Sequence, residues 1–568
     1  MKKRLLALVL TNLLASTAYA DTTTPAATVA APATAPAATA EPSQAPAATP
    51  APAASTEPAP AATPAPAAPA KLVQSAAPAA TPAPVASAEP AQAAAPAAAP
   101  APVEPAQAAA PVATPAPAAT TATAAPVAAK PAPAAAASTE SPVTDALLQK
   151  VKEAIKADTP RLEGIFKDIH QNPELGFMEQ RTAKIVADEL TQLGYEVKTG
   201  IGKTGVAGIL KNGDGPIVMY RADMDANAVE EKTGLPYAST ARVKREDGSE
   251  SPVAHMCGHD AHVTWMLGLA KAMADMKDQW SGTLIVVGQP AEELIMGASE
   301  MTRDGLYTKH GVPVPNYLLG LHTVPGPVGY IAARGGTIMA GTDQLDVTFQ
   351  GVGGHGSTPQ FAKDPIVMSA NAIMQYQTII SRMLAPDEMG VVTVGSVQAG
   401  ADNNVIPNTA LLKLNLRYFK MPVREKMLAA IKNINEGIAR TYGMPDDQMP
   451  TVVMNGHSAP LVNDPQLVRK LLVPIKKDIG ADHILTEYAA ATGSEDVHML
   501  RGEYEKDVPV SFMFVGVADP GVFAQAQKEG KAVPYAAHNP YFIVDLKAIP
   551  VGAEIGTLSV MELLAKKQ

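Results

Sequence analysis

Cysteine is nearly absent from this chain: Cys257 is the only one in 568 residues. A lone thiol in a chain whose start reads as an export signal excludes an internal disulfide, which leaves buried filler, free thiol or metal ligand. Positive charge is also scarce. With 45 Lys and Arg against 55 Asp and Glu, the formal net charge is −10, and no basic stretch is interleaved with aromatics, so a nucleic-acid surface is excluded. Beyond the N-terminus, no apolar run approaches the roughly 20 residues of a membrane-spanning helix.

What is present begins with MKKRLLALVLTNLLASTAYA. Lys2, Lys3 and Arg4, the apolar run Leu5 to Leu14 and the small-residue site Ala18-Tyr19-Ala20 read as an export signal over residues 1–20. That predicts a periplasmic or secreted protein with no stable membrane insertion once the signal is cleaved. Residues 21–142 are almost all Ala, Pro, Thr, Val and Ser, with TPAPAA recurring at 49, 63 and 114. Such a stretch has too few large apolar side chains to offset the entropy of folding, and its prolines favour a semi-stiff, extended spacer. The spacer also inflates the 47% hydrophobic content.

Roughly 425 residues remain, enough for two domains. Helical periodicity runs over 145–156, 160–172 and 182–193. The apolar runs IVMY (217–220), LIVV (284–287) and YLLGL (317–321) read as buried strands, with a helix over 261–276 between the first two. This alternation predicts an α/β domain with a mainly parallel sheet covered by helices. From 341 to 453 the order becomes β-α-β-β-α-β, the ferredoxin-like signature of a satellite α+β domain. The larger α/β domain therefore occupies 143–340 and 454–568, with the satellite inserted between its two parts.

The predicted strand ends are polar. IVMY runs into Arg221-Ala222-Asp223-Met224-Asp225, LIVV into Gln289-Pro290-Ala291-Glu292-Glu293, and YLLGL into His322. HMCGHDAH (255–262) opens the intervening helix, so Cys257 and His259 belong at the same sheet edge, where open α/β sheets bind ligands. Thiolate, imidazole and carboxylate from separate elements suit zinc and its first-row neighbours rather than calcium or magnesium. More than four such donors imply two ions. In a Glu-Glu pair one carboxylate can bind metal while its neighbour serves as a base.

RADMDA (221–226), TGLPYAS (233–239), HMCGHDAH, QPAEE (289–293), LHTVPG (321–326), GGHGSTP (353–359) and NVIPN (404–408) resemble, in order, the M20 metallopeptidase family. The resemblance is to its amidohydrolase branch of hippurate hydrolases, N-acyl-amino-acid deacylases and auxin-conjugate hydrolases. It implies hydrolysis of a small N-acyl amino acid or peptide, two divalent ions (Zn, Mn, Co or Ni) and a homodimer formed through the satellite. By this resemblance Cys257, His259, Glu293, His322 and His538 are metal ligands and Glu292 the general base. Asp225 orients a ligand, while His355 helps stabilise the oxyanion, often across a dimer. Asn404 and Arg417 hold the substrate's carbonyl and carboxylate. His170, His255, His262 and Asp223 are read as structural. The residues 240–254 form a charged, hairpin-like insertion, and GSEDVHML (493–500) keeps GSED without the aromatic that often follows. A dipeptidase or aminopeptidase of the same family, or a non-catalytic envelope-tethered binding protein, are the competing expectations.

Overall fold

The computed structural model describes residues 141–244 and 248–566. The expected signal and nearly all of the spacer lie outside them. The first helix, α1 (Asp145–Gln171), starts where Thr144 accepts a hydrogen bond from the Leu147 N–H. Two helices were expected here, broken near Pro160. One continuous helix is found, because its buried residues Leu147, Val151, Ile155, Asp158, Leu162, Phe166 and Ile169 make an unbroken three- and four-residue stripe through the proline. Packing of that stripe offsets a cost of about 3 kcal/mol for an interior proline.

After α2 (Gln180–Gln192) come β1 (Glu196–Ile201), β2 (Gly205–Asn212) and β3 (Ile217–Asp223), then α3 (His259–Asp275), β4 (Gly282–Gln289), the short α4 (Gly297–Arg303) and β5 (Tyr317–Pro327). The chain returns much later as β10 (Val510–Ala518). These strands lie in an eight-stranded sheet ordered β1-β2-β4-β3-β5-β10, followed by the short strands 331–332 and 484–485. The central strands β4, β3, β5 and β10 are parallel, and β1 and β2 form an antiparallel margin.

Both faces are covered, which is why the central strands are continuously apolar. Along β3, Val218 and Tyr220 face one core together with α1, α3 and α9 (Ala548–Leu564), while Met219 faces another formed with Ala298, Met301 and Phe512. Helix α3 is buried almost all round.

Between β5 and β10 runs β6 (Gly341–Gln350), α5 (Pro365–Thr378), β7 (Gly390–Ala399), β8 (Thr409–Tyr418), α6 (Met421–Thr441) and β9 (Thr451–Ser458). They form a four-stranded antiparallel sheet ordered β7-β8-β6-β9, the ferredoxin-like order, over its own apolar core. Helix α7 (Pro465–Ile479) then re-enters the main core, followed by α8 (Pro520–Lys528) and finally α9. In the 240–254 insertion, residues 242–244 pair antiparallel with 250–252, so it is a hairpin. Among the described residues no helix is long and apolar enough to cross a membrane.

Candidate metal centre

The carboxyl ends of the parallel strands bring the polar residues together. Cys257, Glu293 and His538 offer ligand atoms within 4.8 Å of one another, and so do His259, Glu292 and Glu293. The Cys257 Sγ lies 3.6 Å from His322 Nε2, and the Glu293 Oε1 lies 3.2 Å from His538 Nε2 and 3.8 Å from His259 Nε2. His322 differs from the expected position. Strand β5 continues past it to Pro327, so it is a mid-strand residue. It reaches the site because Gly320 pairs with Arg221, which sets His322 level with the end of the shorter β3.

Two histidines are held in one tautomer. His259 Nδ1 donates to the Asp225 carbonyl at 2.8 Å and His322 Nδ1 to the Thr323 carbonyl at 2.7 Å, since a carbonyl can only accept. Nε2 is thereby the nitrogen that each ring turns towards the cluster. Among the described residues His259 Nε2 and Glu293 Oε1 are buried without a hydrogen bond, Glu293 Oε1 having only its ion-pair contact with His538, which is costly unless a further partner binds them. Two such donor atoms among sulfur, imidazole and carboxylate fit a thiophilic divalent cation.

The electrostatics agree. Burial and Glu293 push the Cys257 thiol up, but His322, His538 and His259 outweigh them and hold it at about 6, so thiolate prevails at neutral pH. Burial also opposes ionisation of Glu293, yet His538 and His259 keep it at about 2. Glu292, only 5% exposed, is pushed well above the usual carboxylate range by burial, then by Glu495 and Glu293.

Asp225 hydrogen-bonds two of the proposed ligands, Glu293 through its carboxylate and His259 through its carbonyl. Its Oδ1 accepts from the Glu292 N–H at 3.1 Å and its Oδ2 from the Glu293 N–H at 3.0 Å. His259 Nδ1 donates to its main-chain carbonyl, with Oδ1 3.4 Å away. One buried carboxylate thus fixes the backbone of both glutamates. The turn it holds is strained: Ala291 and Ile295 have φ of 47° and 55°. His538 is also at positive φ, 63°, and its N–H donates to the Met256 carbonyl at 2.7 Å, tying the C-terminal loop to the cysteine loop. Gly258, at φ 83°, cannot carry a side chain, because a Cβ would lie 2.7 Å from Thr323.

The residues read as structural are engaged elsewhere. His262 Nδ1 donates to Asp223 at 2.5 Å and its Nε2 accepts from the Thr323 N–H at 2.8 Å, so both nitrogens are occupied and burial holds it neutral, at about 3. His170 bridges Asp260 at 2.6 Å and Glu231 at 3.2 Å. Burial opposes its charge, but these carboxylates raise it to about 9. His255 is buried with neither ring nitrogen bonded.

Arg417, on β8, donates to the Ser494 hydroxyl at 2.6 Å, next in sequence to the Glu495-Asp496 pair, and the charge of Glu292 acts on it against the effect of burial. His355 and Asn404 are not brought to the cluster. They lie on an exposed part of the inserted domain, where the 354–355 strand pairs with 405–406 in a separate two-stranded sheet and the Ser357 hydroxyl meets His355 Nδ1 at 2.7 Å.

Sequence reasoning passed over a buried hub behind the glutamates. Arg221, 1% exposed, donates to Asp223, Glu495 and Gln289, while Asp496 accepts from Gln289 and from the Ala298 N–H. An arginine inside an otherwise apolar strand was the available hint, because a buried guanidinium requires carboxylate partners.

Residues 219–561 match Peptidase family M20/M25/M40, and the chain belongs to that family. It is 41% identical over 280 residues to the hippurate hydrolase of Campylobacter jejuni, a match covering 49% of this chain and 70% of that one. With IAA-amino acid hydrolase ILR1-like 4 of Arabidopsis thaliana it shares 31% identity over 406 residues, 69% of this chain and 83% of the relative. A Bacillus subtilis structure described as a dinuclear metal binding peptidase from the M20 family superposes with a TM-score of 0.54 at 26% identity, covering 72% of this chain and 99% of the other. The protein is thus a hydrolase of the M20 amidohydrolase type.

Proposed function

We propose that the protein hydrolyses the amide bond of N-acyl amino acids or small peptides, with Glu292 as general base and two divalent cations held by Cys257, His259, Glu293, His322 and His538. The observation that carries this reading is the pairing of donor atoms without a hydrogen bond, His259 Nε2 and Glu293 Oε1, with a buried second carboxylate on the adjacent residue. Cations bound there would supply Lewis acidity, polarising the amide carbonyl and acidifying water.

The chain's own residues do the rest. Glu292 takes the proton from water, and its raised basicity suits that role and the later return of the proton to the leaving nitrogen. Asp225 holds Glu292 and Glu293 in register through their N–H groups, so the base and the ligand cannot drift apart. Arg417, anchored on Ser494, faces the site with a guanidinium suited to a substrate carboxylate. His355 and Asn404 complete the site from a second copy of the chain, His355 donating to the developing oxyanion.

Zinc, manganese, cobalt and nickel all fit the donor set. Residues 1–20 direct export to the periplasm or the medium, and 21–142 serve as a spacer. The test is a panel of N-acyl amino acids and free dipeptides given to protein reconstituted with each metal. Turnover of the acylated substrates is expected. Cleavage of free dipeptides alone would shift the assignment to a dipeptidase, and no cleavage of either would leave a binding protein.

A further inference from the structure

Glu179 is a carboxylate that the site described above does not use. It stands at the N-cap of α2, yet its side chain makes no capping bond and the residue is fully buried. The side chain turns inward instead. Its Oε1 accepts from the Phe177 N–H at 3.0 Å and from the Ala291 N–H at 2.8 Å, and its Oε2 from the Thr204 hydroxyl at 2.6 Å. Thr204 lies in the turn between β1 and β2 and is itself buried. One side chain therefore joins the start of α2, the β1–β2 turn and the turn after β4 that carries Glu292 and Glu293.

Its partners sit at strained positions. Among the described residues, five non-glycines have left-handed backbone: Phe177, Lys203, Ala291, Ile295 and His538. Glu179 bonds the N–H of Phe177 (φ 65°) and of Ala291 (φ 47°), and the hydroxyl of the residue after Lys203. Such conformations persist only where the surroundings over-determine them. The segments also touch, since a Cβ on Gly176 would lie 3.1 Å from the Ala291 Cα. The N–H groups of Ala291, Glu292 and Glu293 thus go in succession to two buried carboxylates, the first to Glu179 and the next two to Asp225. With Asp225 alone the turn could pivot about that one carboxylate, and the bond one residue earlier removes this freedom. We propose that Glu179 is a positioning residue for the general base: by holding Ala291 in its left-handed conformation it sets the direction in which Glu292 leaves the turn. The proposal rests on the reading of Glu292 as the base.

The role needs reach rather than charge. Burial, and then the charge of Asp225, push the Glu179 carboxyl up to about 7. The neutral acid still accepts both N–H groups on Oε1, while its hydroxyl can turn to Thr204. Glutamine has the same reach, with a carbonyl oxygen for the two N–H groups and an amide NH2 for the Thr204 hydroxyl. Aspartate keeps the charge but is one methylene shorter, so its oxygen falls short of the Ala291 N–H.

Glu179→Asp and Glu179→Gln in the full-length, zinc-loaded protein separate positioning from a merely structural role, assayed on the acylated substrate turned over fastest in the panel above. In Glu179→Asp, kcat should fall about tenfold or more with KM within about twofold and bound zinc unchanged, because the base is misaimed while the ligands stay. Glu179→Gln should keep kcat within about threefold of wild type. Wild-type kcat in Glu179→Asp, a loss in Glu179→Gln as deep as in Glu179→Asp, or a loss matched by lost zinc would overturn the proposal. Amide hydrogen exchange at Ala291 needs no substrate. It should quicken about tenfold or more in Glu179→Asp but not in Glu179→Gln, and unchanged exchange in Glu179→Asp would sink the anchor. A wild type that cleaves no acylated substrate would end the hydrolase reading and with it the role of Glu292, whereas an anchor that fails beside an active wild type ends this proposal alone.

Discussion

His259 and His355 are both histidines beside glycines, yet they stand in opposite settings. His259 is fully buried, and its Nδ1 is committed to a carbonyl. Around it, Asp225 and His538 lock the neighbouring loops through main-chain hydrogen bonds. His355 stands exposed, its Nδ1 accepting from the Ser357 N–H. The difference separates two settings: the fold preorganises the first histidine by burial and main-chain bonds, whereas it leaves the second exposed and away from the cluster.

The largest effect is expected from within the buried half. Glu292→Gln should lower kcat by about 10²–10⁴-fold while leaving bound metal unchanged, because the amide keeps the shape and loses the base. Metal analysis beside steady-state kinetics checks it, and full activity would remove Glu292 from this role. Asp225→Asn should come next, costing about 10–100-fold in metal affinity or activity, because an amide accepts through only one oxygen where two N–H groups need holding.

His355→Ala sharpens the comparison directly. Activity should fall with no change in melting temperature, since the side chain is exposed. If His355 works across subunits, mixing this variant with Glu292→Gln should restore about a quarter of wild-type activity through mixed dimers. No recovery would place His355 in its own subunit's site.

The smallest effect is on stability. His170 is raised from its ordinary 6.5 to about 9 in the fold. Its contribution is therefore fully present below about pH 6.5 and is lost as pH rises through about 9. Melting temperature should decline over that window, by a stability change on the order of 3 kcal/mol, and His170→Gln should flatten the decline. An unchanged slope in the variant would assign the pH dependence to another group.

Much of the fold was legible because it depends on local periodicity. The runs IVMY and LIVV are apolar at every position since both faces of β3 and β4 are covered, and alternation in β6 and β8 marks a sheet with one face on the core. The two-helix reading of α1 failed because proline is a local signal while the stripe from Leu147 to Ile169 is satisfied only in the packed core. The extent of β5 beyond His322 was hidden for the same reason: strand length there is set by pairing with β10, which lies almost two hundred residues downstream in the sequence. Asp225 was legible as an important acid, but not which of its atoms does what.

The sequence by itself determined the chemistry on offer: one sulfur, a few imidazoles and an adjacent pair of carboxylates, several of them next to an apolar run or at the opening of a buried helix. Side-chain type and spacing carry that information without reference to the rest of the chain. Tertiary structure alone decided which lone pairs face one another. Strand register levels His322 with Asp223, a main-chain bond to Met256 brings His538 to Cys257, and carbonyl acceptors choose the tautomers of His259 and His322. Those choices are hydrogen-bond directions between distant segments, which exist only once the segments have packed.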